Sequence, residues 1–120
     1  MNERHPTTPD QLVLYVLREP GFLNQTLAAF AEAGLTAIEV MESQGVAELV
    51  DDEIPIFASF RHIFTGAQSY NYIVMGAGDE GQRTVLVERL QELLKDVSDE
   101  QRGVVFSVPL LFAQPLGPPT

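Results

Sequence analysis

Three groups of residues in this chain have types and spacings that could carry chemistry. Gly76-Ala77-Gly78-Asp79-Glu80-Gly81 matches the G-x-G-x-x-G pattern of a phosphate-binding turn between a strand and a helix. Asp79 and Glu80, however, would stand at the helix end that otherwise welcomes an anion, so a turn followed by a helix cap fits these residues better. Glu48, Asp51, Asp52 and Glu53 crowd carboxylates that could hold a hard cation, but they lack the spacing of a dedicated calcium loop and read as a solvated charge run. The third group is basic. Arg18, Arg61 and Arg102 are kept in a strongly acidic chain, and two arginines brought together could grip a phosphate or carboxylate bidentately. A surface ion-pair role fits them equally well.

Hydrolytic chemistry has little support. The serines lack a G-x-S-x-G setting, His5 lies in a polar lead-in, and His62 alone is placed to act as a general base. No catalytic residue and no metal ligand is assigned.

The composition narrows the function further. The 120 residues carry 7 basic and 17 acidic side chains, a formal net charge of −10, and no cysteine. Disulfides and thiolate metal sites are excluded. A nucleic-acid partner is disfavoured, because phosphate contacts need clustered Lys and Arg. No apolar run reaches the length of a membrane span, and direct membrane insertion is not expected. The expectation is a soluble, cytoplasmic single domain over residues 11–113, between a flexible lead-in at 1–10 and a flexible tail at 114–120.

Such residues need elements to position them. Leu12 to Leu17 is a short apolar run, as in a covered strand, and Arg18-Glu19-Pro20-Gly21 breaks it. Phe22, Leu23, Leu27, Phe30 and Ala31 then recur at helical spacing, with Gly34 as the stop. Thr36 to Ser43 alternates as a second strand, and Tyr70 to Met75 reads as a third, followed by a glycine turn. Asp79 can cap a second helix whose buried stripe is Val85, Leu86, Leu90, Leu93 and Leu94. Gly103 admits a last strand, Val104 to Val108, halted by Pro109. The order predicts an α+β, ferredoxin-like βαββαβ sandwich: a four-stranded antiparallel sheet with both helices on one face. Several strands are apolar on both sides, so a second subunit is expected to cover the open face.

Residues 44–69 form a connection too long for a passive turn. Ile56, Phe57, Phe60, Ile63 and Phe64 fall on one helical face, with Pro55 near its start and Gly66 after its end. Such a helix either packs on its own assembly or presents Phe57, Phe60, Arg61 and Phe64 to a partner protein.

The segment Gly34-Leu35-Thr36-Ala37-Ile38-Glu39-Val40-Met41-Glu42-Ser43-Gln44-Gly45 resembles the helix-to-strand region of PII-like signalling proteins, with its G-hydrophobic-T-G turn, alternating strand, and polar pair before a glycine. Gly103-Val104-Val105-Phe106-Ser107-Val108-Pro109 is similar to the glycine-led last strand of that family, and element order agrees over residues 10–113. The resemblance implies a non-enzymatic homotrimer. Such a trimer binds a small effector, often an adenine nucleotide, in clefts between subunits, and contacts a target transporter or enzyme through the 44–69 loop. It would set Thr36 against the base or ribose and make Glu42, Ser43, Gln44 and Gly45 the base of the loop. Arg102 and Gly103 would take the phosphate-binding turn, with Arg18 near it. The chain departs from the family at Asp99-Glu100-Gln101-Arg102-Gly103, to which a glycine- and lysine-rich turn is reduced, and at Glu39, where the nitrogen-regulatory members carry a small hydroxyl residue. Two alternatives stay open on the same fold: a metal-binding trimer of the CutA type, and a small enzyme using His62 with a neighbouring carboxylate.

Overall fold

The computed structural model describes residues 8–45 and 71–117. Strand β1 (Gln11–Leu17) leads through a 3-10 turn (Pro20–Phe22) into helix α1 (Leu23–Glu32) and strand β2 (Thr36–Ser43). Strand β3 (Asn71–Gly78), helix α2 (Glu80–Leu93), a second 3-10 turn (Asp99–Gln101) and strand β4 (Val104–Pro109) complete the chain. The four strands form one antiparallel sheet in the order β2-β3-β1-β4. This is the expected ferredoxin-like α+β architecture. The helix expected around Phe57, Phe60, Arg61 and Phe64 lies outside the described residues, as do His62 and the acids from Glu48 to Glu53.

Alternation in β1 decides which way the sheet faces. Val13, Tyr15 and Leu17 are buried and join Phe30 of α1 and Leu86, Leu90 and Leu94 of α2 in one core. Both helices therefore cover the same face. Leu12, Leu14 and Val16 point the other way and pair, through the ladder, with Ala77, Met75 and Ile73 on one side and Val108, Phe106 and Val104 on the other. That second face is apolar across three strands, and Val104, Phe106 and Val108 on it are exposed.

Both helices start or stop where their residues dictate. At the end of α1 the Gly34 N–H donates to the Ala31 carbonyl and the Leu35 N–H to the Phe30 carbonyl, with Gly34 at φ +92°, the left-handed cap that glycine adopts without strain. At the start of α2 the Asp79 carboxylate accepts from the Gln82 N–H, and the Gln82 side chain accepts from the Asp79 N–H, both at 2.9 Å. This capping box satisfies two otherwise orphaned donors. The Gln82 amide also donates to the Gly34 carbonyl at 3.0 Å, joining the two helix ends.

Three boundaries differ from the sequence expectation. The third strand runs on through Gly76 and Gly78 instead of turning there, because Phe30 and Leu35 pack against the bare Gly76 backbone. A Cβ at Gly76 would come within 3.2 Å of both. On α2 the buried line is Leu86, Leu90 and Leu94, spaced by four, while Val85 is exposed one step around the helix. Pro109 does not halt β4 but is its last ladder residue, opposite Gln11. This is a position an edge strand tolerates, since proline lacks only the N–H.

A shift in the β2–β3 register between Thr36 and Glu39 coincides with Ala37 at φ 53°. Left-handed backbone at a residue with a Cβ costs roughly 1–2 kcal/mol, part of which glycine returns through its freer unfolded state. Ala37→Gly is therefore expected to stabilise the protein by about 1 kcal/mol in urea unfolding. A loss of stability would show that the bulge carries no strain.

Candidate functional site

The ladder register sorts the sequence-predicted site residues between the two ends of the sheet. Leu17 and Glu42 both stand opposite Tyr72, Ser43 opposite Asn71, and Val16 opposite Val104. Arg18, Glu42, Ser43, Gln44, Gly45, Arg102 and Gly103 therefore lie at one end. Thr36 lies at the other, opposite Ala77. At the shared end, β2 and β4 are the two outer strands, with β1 and β3 between them. Three strand spacings of about 4.8 Å place the Glu42–Gly45 segment and the Arg102–Gly103 turn about 14 Å apart in one subunit. Along β2, Thr36 and Ser43 are about 23 Å apart at 3.3 Å per residue. One subunit thus does not gather all eight residues into a single pocket.

The corner around Arg102 is built most tightly. The Tyr15 hydroxyl donates to the Arg102 carbonyl at 2.6 Å. Gly103 follows at φ +84°, and a Cβ there would collide with the Val16 carbonyl oxygen and come within 2.9 Å of the Tyr15 ring. Only glycine lets the turn lie this close to β1. The Arg102 guanidinium stays exposed and folds back over the end of α2: Nε donates to the Val97 carbonyl at 2.7 Å, Nη2 to the Lys95 carbonyl at 3.0 Å, and Nη1 lies 3.3 Å from the Asp99 carboxylate. It thereby satisfies carbonyls left over where α2 ends. Beside this turn a groove of about 580 Å³ runs between α2 and β4, floored by Leu90, Leu94 and Val105 and rimmed by Gln91, Lys95 and Arg102. Glu92 accepts a 2.8 Å bond from Lys95 and holds its ammonium pKa above the usual value.

Tyr15 links this corner to Arg18. Burial pushes the Tyr15 phenol up to about 12, while the Arg18 cation acts in the opposite direction. Arg18 thus shares the corner with the Arg102 carbonyl. Tyr15 is not among the sequence-predicted site residues, although a tyrosine within an aliphatic strand needs a hydroxyl partner when buried, and that need is the signal for this corner.

At the opposite end a smaller pocket of about 230 Å³ is formed by Thr36 with Pro9, Gly34, Ala77, Asp79 and Gln82. The Thr36 hydroxyl lies 3.4 Å from the Ala77 carbonyl, a long bond that leaves it adaptable. In the G-x-G-x-x-G segment, Asp79 fills the helix N-terminus with its own carboxylate, so that end is not open to an anion. Among the described residues no three His, Cys, Asp or Glu side chains are placed to share a metal ion, and no helix is long and apolar enough to cross a membrane.

The class defined by this topology is the ferredoxin-like α+β sandwich, and comparison with solved structures sharpens it. The apo form of CPII from Thiomonas intermedia K12, a nitrogen regulatory PII-like protein, superposes with a TM-score of 0.60 over 90% of this chain and 96% of that one, at 14% identity. CPII bound to ADP, AMP and bicarbonate gives 0.56 over 89% and 93%, at 16% identity. B. subtilis GlnK gives 0.57 over 87% of each chain, at 13% identity, and is also known as an ATP complex. No protein-family model and no curated protein sequence matches the chain. The chain has the PII-like fold.

Two outcomes follow from the corner. Gly103→Ala is expected to cost about 2 kcal/mol or more in urea unfolding, through both its φ and its contact with β1. A cost below 0.5 kcal/mol, on the order of an ordinary surface change, would show that the turn is free to move. For Tyr15 the sign is set by a folded-state value above the unfolded value of about 10. Its contribution is complete below pH 10 and is lost as the pH rises toward 12, because only the unfolded chain releases the proton there. That loss amounts to about 2–3 kcal/mol. Tyr15→Phe should be less stable at neutral pH by about 1 kcal/mol, from the orphaned Arg102 carbonyl, and should lack this alkaline decline. An identical decline in the variant would assign it to other groups.

Proposed function

We propose that this chain is a divergent PII-like regulatory protein without enzymatic activity. It works in the cytoplasm as a homotrimer that binds an adenine nucleotide between subunits and signals to a target protein through residues 44–69. The observation that carries this reading is the fold match itself. It spans about nine-tenths of this chain and of a neighbour solved with ADP, AMP and bicarbonate. It is supported by the separation of the site residues within one subunit, which a cleft between two copies would remove. The Glu42–Gly45 segment on one outer strand would meet the Arg102–Gly103 turn on the other outer strand of the next copy. Ser43, Gln44 and Gly45 lie at the base of the loop in that cleft, whereas Thr36, about 23 Å away along β2 at the other end of the sheet, is proposed to face the base or ribose from a neighbouring copy. Gly103 offers backbone to the phosphates and Arg18 supplies the cation, while Arg102 holds the turn in shape through its three contacts. The apolar open face of the sheet is the surface that the assembly covers, and Phe57, Phe60, Arg61 and Phe64 meet the target transporter or enzyme.

The test is a thermal shift of the full chain against ADP, AMP and ATP, each with and without bicarbonate. A nucleotide present at 100 times its dissociation constant adds about 2.7 kcal/mol to native stability and raises the midpoint accordingly. Arg18→Ala should weaken that nucleotide at least about tenfold, the loss expected for one charge-assisted hydrogen bond. If no adenine nucleotide moves the midpoint at millimolar concentration, the effector part of the reading fails.

A further inference from the structure

The two outer strands of the sheet are defended very differently. β2 carries Glu39 and Glu42 and is interrupted by the shift beside Ala37, devices that discourage another strand from pairing with it. β4, Val-Val-Phe-Ser-Val-Pro, carries no charge, and among the described strands it pairs with β1 alone. Its open side is apolar, and on its covered side Val105 stands beside Ser107, whose hydroxyl is already bonded to Gln11 at 2.6 Å. Val104, Phe106 and Val108 stand on the open face, while Val105 faces the groove of about 580 Å³ floored by Leu90 and Leu94. An uncharged edge of this kind invites strand addition.

The same chain holds a segment suited to it. Beyond β4 the Leu110 N–H donates to the Asp10 carbonyl at 3.0 Å, which carries the backbone past the end of the ladder. Residues 111–117 then continue with neither helix nor strand and without a single charged side chain, in a protein of net charge −10. Leu111 is 100% exposed, Phe112 77% and Leu116 93%. Three large apolar side chains on one short uncharged segment are an unsatisfied surface in a single subunit. Leu111 and Phe112 are adjacent, so in an extended chain they point to opposite sides. A strand that is apolar on both sides matches an edge whose open side is apolar and whose covered side sets Val105 at the groove.

We propose that residues 111–116 are an assembly arm that docks on a second copy of this chain, pairing in extended form with the free edge of β4 and seating Phe112 in the groove between β4 and α2. Each copy gives one arm and receives one, an exchange compatible with a closed ring. The inference rests on the self-association proposed above and is independent of nucleotide binding.

The experiment compares the full chain, a chain ending at Leu110, and full-length Phe112→Ser by sedimentation over a dilution series, with circular dichroism to confirm folding. Both altered proteins should stay folded, since the segment contributes nothing to the core, and should dissociate at concentrations at least about tenfold higher than the unaltered chain. The absence of cysteine allows a second readout. Phe112→Cys mixed with Val87→Cys, on the groove wall, should form a disulfide between copies under mild oxidation, and Phe112→Cys mixed with Met41→Cys, on the open face of β2, should not. A full chain that is monomeric throughout overturns both this proposal and the assembly reading. An oligomer that is indifferent to loss of the arm overturns the arm alone. A cross-link to position 41 in place of 87, or to neither, overturns the groove as its seat.

Discussion

Among the described residues, the four-stranded sheet has two apolar faces and helices on only one of them. Removing apolar surface from water is worth about 25 cal/mol per Å². Val104, Phe106 and Val108, exposed on that second face beside Leu12, Leu14 and Val16, represent a stabilisation that the described part of a single subunit leaves unrealised. Everything outside the helical core can be read from that imbalance. The strand order puts the residues with functional potential on opposite outer strands, and the uncovered face gives a second copy reason to approach. The cleft proposed at the sheet margin would then be a by-product of covering the sheet. No separate scaffold is needed to create it.

Within the subunit, β1 also organises the corner where α2 returns to the sheet. The Tyr15 hydroxyl, the close passage of Gly103 and the folded-back Arg102 guanidinium hold the same few residues by three independent means. A turn fixed in this way presents its backbone groups in one arrangement, and the cost of ordering them is met at folding and not at binding. In the proposed site Arg102 would therefore contribute without touching the ligand. Its donors are committed to the carbonyls of Lys95 and Val97, so its contribution lies in the shape of the turn.

Much of this was legible in the residues. The apolar run Leu12–Leu17 as a strand, the cap at Asp79 and the stop at Gly34 are local signals, and each appears in the fold where expected. The strand through Gly76 and Gly78 was not legible, because glycine announces a turn locally. Only the packing of Phe30 and Leu35 against bare backbone, a tertiary fact, makes it a strand. The grouping of Arg18 with Arg102 and Gly103 could be expected from the order of elements. The folding back of the Arg102 side chain could not, since it depends on where α2 runs out of hydrogen-bond partners. The arm was obscured for a different reason: proline and glycine mark residues 114–120 as irregular, and irregularity hides the fact that Leu111, Phe112 and Leu116 are too apolar for an idle tail.

The excess of acid stands as the main physical objection to an anionic ligand, and the corner itself answers part of it. Asp99 faces Arg102 and Glu92 faces Lys95, while Asp96 and Glu100 make no ion pair among the described residues. Arg18 has no ion-pair partner among the described residues. Charges farther than about 8 Å away are largely screened at physiological ionic strength. The bulk of the −10 therefore weighs little on a phosphate held against backbone N–H groups and one arginine. What a strongly negative surface does change is the approach: it slows the encounter of any anion and favours partners of opposite sign. The proposed binding site and the surface of this protein would thus have opposite electrostatic preferences, the former set by a few fixed groups at the end of β1 and the latter by composition.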